Sequence, residues 1–280
     1  MAEPLLWALV LVAAAMHASW NALVKHASER WLTFAVVSAT GALGFLPVAL
    51  THGPPAPAAV PFLAASGVIH LFYFSFLVFA YTHGDFSQTY PIARGLGPLI
   101  VGLVSLAVLH EPARPASVMG VVMVSLGVMV LASGGGPSAR RGVGFAAATG
   151  VFIAAYTLAD GLGVRASPSR LSYIAWLHLT IGLPFSAFVF WRRRGAVGPF
   201  LRAQGLRASL AGVLAALAYS LVLFAMSRVS LAVVAALREV SVVFAAVIGA
   251  RLLREPLGRR RLLAAGVVVI GIACLAAGRA

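Results

Sequence analysis

The sequence predicts an all-α membrane protein of ten transmembrane helices, arranged as two inverted five-helix repeats. Three observations carry that expectation. First, 61% of the 280 residues are hydrophobic and only 10% are charged, where a soluble domain carries about 25% charged residues. A bilayer gives so apolar a chain a place for its surface. Second, the apolar residues fall in continuous runs of the ~20 residues needed to cross a bilayer as a helix. They lack the ten-residue alternation of an outer-membrane barrel. Third, the two halves of the chain resemble each other at a fixed offset.

The spans expected in order are 4–24, 31–50, 59–82, 86–109, 114–133, 142–161, 168–190, 205–227, 230–253 and 258–277. Their separators are chemically suited to end a helix. Lys25-His26-Ala27-Ser28-Glu29-Arg30 is a charged turn, and Thr51-His52-Gly53-Pro54-Pro55-Ala56-Pro57 cannot continue a helix. Ser133-Gly134-Gly135-Gly136-Pro137, followed by Arg140-Arg141, is the strongest linker and lies near the middle. Trp191-Arg192-Arg193-Arg194-Gly195 closes the seventh run with an interfacial aromatic and three cations. Sharp turns are expected at 83–86 and 228–230, where one helix would otherwise run through two spans. The loops leave no room for a globular domain. The opening Met-Ala-Glu-Pro-Leu-Leu lacks the basic region of a signal peptide, so the first run is expected to be a retained helix.

At an offset of 144, Leu109-His110-Glu111-Pro112 matches Leu253-Arg254-Glu255-Pro256, and Arg94 matches Arg238. Gly127, Leu131, Ala132 and Gly134 match Gly271, Leu275, Ala276 and Gly278. The expected division is a first repeat at 1–134, a linker at 135–141 and a second repeat at 142–280. Five spans per repeat is an odd number, so the second repeat enters the membrane upside down. Inverted repeats of this kind build alternating-access transporters with a site near the midplane.

The net charge of +14 suggests a nucleic-acid binder until the charges are located. Fourteen of the 21 Lys and Arg lie after odd-numbered spans, five lie on the other side, and Arg94 and Arg238 lie within spans. That is membrane-edge charge, and no basic patch on a soluble segment remains for nucleic acid. The positive-inside rule places the fourteen in the cytoplasm and both termini outside. The expected location is the cell (inner) membrane.

Ionisable groups cost about 2.5–3.5 kcal/mol at the centre of a membrane helix on insertion scales. Arg94 and Arg238 lie about 12 Å from the ends of their runs at helical rise, too deep to reach headgroups easily. Glu239 reads as the one acid well inside a span. Helical neighbours point about 100° apart, so Glu239 is expected to meet Arg94 on another helix rather than Arg238 beside it. Two readings follow. Either the two arginines attract an anionic group while Glu239 binds an amine or carries the coupling proton, or the three only pin helices together. Pro91, Gly95, Gly97 and Pro98 surround Arg94, so this helix is either interrupted at a cavity or only kinked.

His17 and Asn21, four apart, share a face that lines a pathway or bonds neighbouring helices. His70 and Tyr73 raise the same choice. Tyr90, Tyr156 and Tyr219 could stack on a substrate or serve as packing anchors. His178 reads as a packing residue, and Asp160 as an acid facing headgroup water. Cys274 is the only cysteine, which excludes an intramolecular disulfide and a cysteine-based metal site. The histidines form no metal-binding spacing, so no metal or cofactor is expected. A phosphate-binding loop for direct ATP drive is absent. An intramembrane enzyme needs paired acids, a Ser/His set or metal ligands at one depth, so no enzymatic activity is expected.

Three stretches resemble the drug/metabolite transporter superfamily, in the form built from two EamA-type domains. His17-Ala18-Ser19-Trp20-Asn21-Ala22-Leu23-Val24-Lys25 is similar to that family's first helix. Tyr90-Pro91-Ile92-Ala93-Arg94-Gly95-Leu96-Gly97-Pro98 resembles its fourth. The Glu-Pro pairs at 111–112 and 255–256 stand where the family usually has Gly-Glu. His110 and Arg254 depart from that glycine, and many relatives keep their termini in the cytoplasm, against the charge count. The resemblance implies transport, with a substrate range of amino acids, sugars, amines and drugs.

The expected function is secondary transport by alternating access. The candidate cargo is a small polar or zwitterionic, amino-acid-like metabolite, exported with protons as the candidate coupling ion. The candidate binding residues are His17, Asn21, Tyr73, Tyr90, Arg94, Tyr156, Tyr219, Arg238 and Glu239. The alternative is a broad-specificity efflux pump for lipophilic cations, in which Glu239 acts without the arginines. The expected partners are the small-molecule substrate and the lipid bilayer, with the protein a monomer or homodimer.

Overall fold

A computed structural model describes residues 3–24, 27, 29–83, 86–111, 114–132, 140–241, 243–244 and 259–277. Among these the only regular structure is helical. The α-helices are α1 (Glu3–Val24), α2 (Arg30–His52), α3 (Val60–His83), α4 (Phe86–Ala107), α5 (Pro115–Ala132), α6 (Arg140–Ala166), α7 (Arg170–Arg192), α8 (Arg194–Met226), α9 (Leu231–Arg238) and α10 (Arg259–Ala277), with a 3₁₀ turn at Pro57–Ala59. Six are long and apolar enough to cross a membrane, and stretches of α4, α5 and α10 form shorter apolar helices. Lys25, Pro112, the 133–139 linker, the end of the ninth expected span and Arg254-Glu255-Pro256 lie outside the described residues.

Of the two readings left open for the Pro98 stretch one is excluded, and the placement of a loop is corrected. The stretch around Pro98 is not interrupted, because α4 runs unbroken from Phe86 to Ala107. The break falls instead in its repeat equivalent. There α9 ends at Arg238, and the Glu239 N–H donates to the Ala236 carbonyl, three residues back, at 3.0 Å. Helical backbone resumes at Val240. A glycine and a proline weaken a helix only where neighbours leave the freed groups unsatisfied, and α4 is packed by α5 and α6 along its length. The correction concerns 194–204, expected as a loop: it is the first three turns of α8, which begins at Arg194.

The packing follows the repeat. Exchanging the halves turns α3·α6 into α8·α1, α4·α6 into α9·α1, and α2·α8 into α7·α3, and all six contacts exist. The pairs α2·α7, α4·α9 and α5·α10 map onto themselves. Small residues permit the closest of these. A Cβ at Gly120 would stand 2.7 Å from the Gly271 carbonyl oxygen, and one at Gly271 would stand 3.0 Å from that of Gly120. Across the same seam Gly127 faces Ala264 and Val268, the repeat equivalents of Gly120 and Val124. Without a hydrophobic drive between helices in lipid, such close backbone approach is what holds a pair together.

Polar contacts sort the loops into two sets. Glu29, before α2, pairs with Arg193, after α7, at 3.1 Å. Glu111 after α4, Arg165 at the end of α6 and the α8–α9 turn form a separate cluster. Arg165 Nη1 lies 2.7 Å from Glu111 Oε1, its Nε donates to the Met226 carbonyl at 2.8 Å, and its Nη2 donates to that of Val229 at 2.8 Å. Glu111 Oε2 accepts from Ser230 Oγ at 2.8 Å and from the Leu231 N–H at 3.2 Å. A carboxylate from the first repeat thus caps the N-terminus of α9, where unpaired N–H groups and the helix dipole favour negative charge. Beside it His110 has a φ of 50°, the one positive-φ residue other than glycine among the described residues. That left-handed conformation closes α4, and the glycine usual in the resembling family suits it better than histidine.

Candidate transport cavity

A cavity of about 130 Å³ lies between α1, α2, α3, α6, α7, α8 and the break in α9. Of the predicted site residues, His17, Tyr73, Tyr156, Tyr219 and Arg238 line it. Asn21 does not; its side-chain amide donates to the His17 carbonyl one turn back at 2.8 Å. The Tyr90 side chain lies outside the described residues. Arg94 and Glu239 face each other rather than the cavity. Arg94 Nη2 lies 2.8 Å from Glu239 Oε1, and its Nε donates to Oε2 at 3.2 Å. Both are buried, at 5% and 2% exposure. Of the three charged groups read as candidate binding residues, only Arg238 is among the lining residues, while Arg94 and Glu239 pin α4 to α9.

The reason lies in the repeat. Arg94 and Arg238 are equivalent, but the equivalent of Glu239 is Gly95. The contact of Arg94 with Glu239 therefore has no mirror image. Among the described residues no carboxylate bonds to Arg238, and its guanidinium carbon sits 5.4 Å from the centre of the Tyr219 ring. Cation–π contact of this kind holds a guanidinium without neutralising it.

Arg238 caps an aromatic wall. His70 stacks on Tyr156 at 4.2 Å between centroids, Tyr73 meets Tyr156 edge-on at 5.2 Å, and Tyr156 meets Tyr219 edge-on at 5.9 Å. The His70 Nδ1 lies 2.9 Å from the Ser66 carbonyl, which can only accept, so this nitrogen carries the hydrogen. On the facing wall, Trp20 Nε1 donates to His17 Nδ1 at 3.2 Å, which leaves Nε2 as the protonated nitrogen. His178, read from sequence as packing, both packs and lines the cavity. It stacks on Phe45 at 4.5 Å and bonds Ser220 Oγ through Nε2 at 3.0 Å.

Sequence reasoning misplaced Asp160. It does not face headgroups and is fully buried. Its carboxylate accepts from Tyr219 at 2.6 Å and from Tyr173 at 3.2 Å. Glu239 is therefore not the one acid deep in the protein. The signal available was Asp160-Gly161-Leu162-Gly163. A Cβ at Gly163 would collide with the Tyr173 hydroxyl, and one at Gly161 would meet Leu231. Two glycines just after a lone acid mark where neighbouring helices come close enough to bond it. Among the described residues no group of three or more His, Cys, Asp or Glu is placed to hold a metal ion.

These features define a polytopic helical membrane protein with a central cavity between two structural repeats. The chain belongs to the EamA-like transporter family, whose model matches it twice, over residues 5–133 and 140–277. That places it in the drug/metabolite transporter superfamily with two EamA repeats. No curated protein matches it significantly. A protein of solved crystal structure shares its fold with a TM-score of 0.78 at 20% identity, covering 99% of each chain.

Proposed function

We propose that the protein is a secondary transporter that moves a small, amino-acid-like metabolite bearing an anionic group, by rocking two inverted repeats around the cavity. The single observation that carries this reading is Arg238: a cation on the cavity wall to which, among the described residues, no acid is bonded. A carboxylate on the substrate supplies the counter-charge that Gly95 withholds. The apolar and aromatic walls take the remainder of the molecule, and the faces of Tyr73, Tyr156 and Trp20 suit an ammonium group. A lipophilic cation meets repulsion from Arg238 and finds no carboxylate among the described lining residues, which disfavours the efflux-pump alternative.

The exchange of α3·α6 with α8·α1 supports a two-fold relation between the repeats, and the odd number of spans in each supports inversion. The excess of arginine after odd-numbered spans supports a cytoplasmic position for that set of loops and a non-cytoplasmic position for the termini. The Arg165–Glu111 cluster then closes the outer side.

Thermal-shift screening of the purified protein against an amino-acid and organic-acid panel tests the reading, followed by counterflow in vesicles with the best hit. Arg238→Gln should weaken binding of a carboxylate by about ten- to a hundredfold, the size of one charge-assisted hydrogen bond. Arg238→Lys should recover part of it. Equal affinity of Arg238→Gln for the same compound, or selective stabilisation by lipophilic cations, overturns the proposal.

A further inference from the structure

We infer that Asp160 is a proton-binding site whose occupancy is linked, through the Tyr219 side chain, to the charge state of the Arg238 subsite. The inference rests on the transport reading above and adds a coupling acid to it. Glu239 is poorly suited to that role, because Arg94 holds both of its oxygens.

The geometry around Asp160 is that of a carboxylate given hydrogen bonds but, among the described residues, no ion-pair partner. Tyr219 from α8 and Tyr173 from α7 donate to it, and Ser66 from α3 stands nearby. Behind Ser66 stands His70, bonded to it at 3.1 Å. From α4 the charged side chain is Arg94, tied to Glu239, and on α6 itself Arg165 is tied to Glu111. The 3₁₀ turn packed on α6 carries only Pro57, Ala58 and Ala59. Of the described cations Arg238 is the one whose field acts on Asp160, and the Tyr219 side chain touches both. Hydroxyl donors serve either form of a carboxyl group, since each oxygen can accept and the protonated form can donate. The site is therefore built to hold Asp160 in both states without rearranging.

The linkage follows from charge. With the Arg238 subsite empty, its guanidinium favours the ionised Asp160. An anionic group bound there cancels that field, so Asp160 takes a proton from water. Anion binding and proton binding then promote each other by the same factor, as linkage requires. Substrate and proton are loaded together and released together. The tyrosine that touches both groups is the physical connection, because its ring carries the cation contact and its hydroxyl carries the carboxylate contact.

The test uses the full chain in phosphatidylcholine nanodiscs and needs no substrate. Infrared absorption of the protonated carboxyl group is followed as the pH is lowered. The wild type should gain a band that is absent from Asp160→Asn. Arg238→Gln should move the pH at which that band appears upward by about one unit, which is a tenfold change in proton affinity. Tyr219→Phe removes a donor to the ionised form and should move it in the same direction. Both variants retain Asp160, so they test the linkage even if Asp160→Asn does not fold. A wild-type-minus-Asp160→Asn difference spectrum that shows no such band overturns the site, and a midpoint of that band unmoved by Arg238→Gln overturns the linkage. A linked titration in a protein that transports no member of the amino-acid and organic-acid panel leaves this inference standing and counts against the transport reading alone.

Discussion

Arg94 of α4 and Glu239 at the break in α9 form a buried two-point ion pair, with Arg94 Nη2 and Nε at 2.8 and 3.2 Å from the two carboxylate oxygens. The pair joins the repeats at equivalent positions, where a symmetric arrangement would require a second acid at Gly95. One acid between two arginines has two effects. It fixes α4 against α9 at the point where α9 ceases to be helical, and it leaves Arg238 to the cavity.

Breaking this pair should be costly because it strands a charge in a dry interior. Glu239→Gln should lower stability by about 3 kcal/mol or more, the range for removing one partner of a buried pair. Arg94→Met combined with Glu239→Met should recover most of the loss, since no unpaired charge then remains. Thermal unfolding of the detergent-solubilised protein measures both. A single variant as stable as the wild type would show that Arg94 is neutralised elsewhere.

His110 adopts a backbone conformation that disfavours any residue with a Cβ. His110→Gly should stabilise the protein by about 1 kcal/mol, the usual penalty for a left-handed non-glycine residue. A rise of a few degrees in Tm is the expected readout. Loss of stability would mean that the imidazole makes a contact outweighing the backbone strain.

The α5·α10 seam has no space for a side chain at Gly120. Gly120→Val should destabilise by about 1–3 kcal/mol, as overpacking does when backbone rather than a flexible side chain stands in the way. Gly144→Ala, at a position with nothing within 4 Å of the added carbon, is the control and should be nearly silent. Equal Tm values for the two variants would count against the close packing described here.

Arg165 is the latch of the loop cluster, joining Glu111 to the α8–α9 turn through three short hydrogen bonds. In a Cys274→Ser background with Val222→Cys on the cavity wall, Arg165→Gln should expose the cavity to that face. Alkylation by a membrane-impermeant maleimide added from that side should accelerate about tenfold, which corresponds to the loss of ~1.4 kcal/mol. An unchanged labelling rate would show that the cluster does not hold that side closed.

Much of this was legible in the sequence. Hydropathy located the helices to within a few residues at most ends, because a bilayer imposes a length on any run that crosses it. The pairing of Arg94 with Glu239 followed from depth and helical phase alone. Other features were not legible, and each depends on a neighbour remote in sequence. Arg194–Gln204 reads as a loop because its charges conceal a helix that precedes the span. Pro98 left a break and a kink equally open, yet α4 is continuous, and the break falls at Glu239, where no proline or glycine announces it. Asp160 looks peripheral because it stands six residues from a helix end, and only α3, α7 and α8 reveal it as buried.

The sequence by itself determined the class of protein, the repeat and the family, since these depend on composition, run length and motifs that are local or strictly periodic. The tertiary structure alone decided which charged groups meet each other and which one faces the cavity. The physical reason is that a charge in a low-dielectric interior is governed by its nearest opposite charge, and that neighbour is chosen by how helices cross, not by their order in the chain.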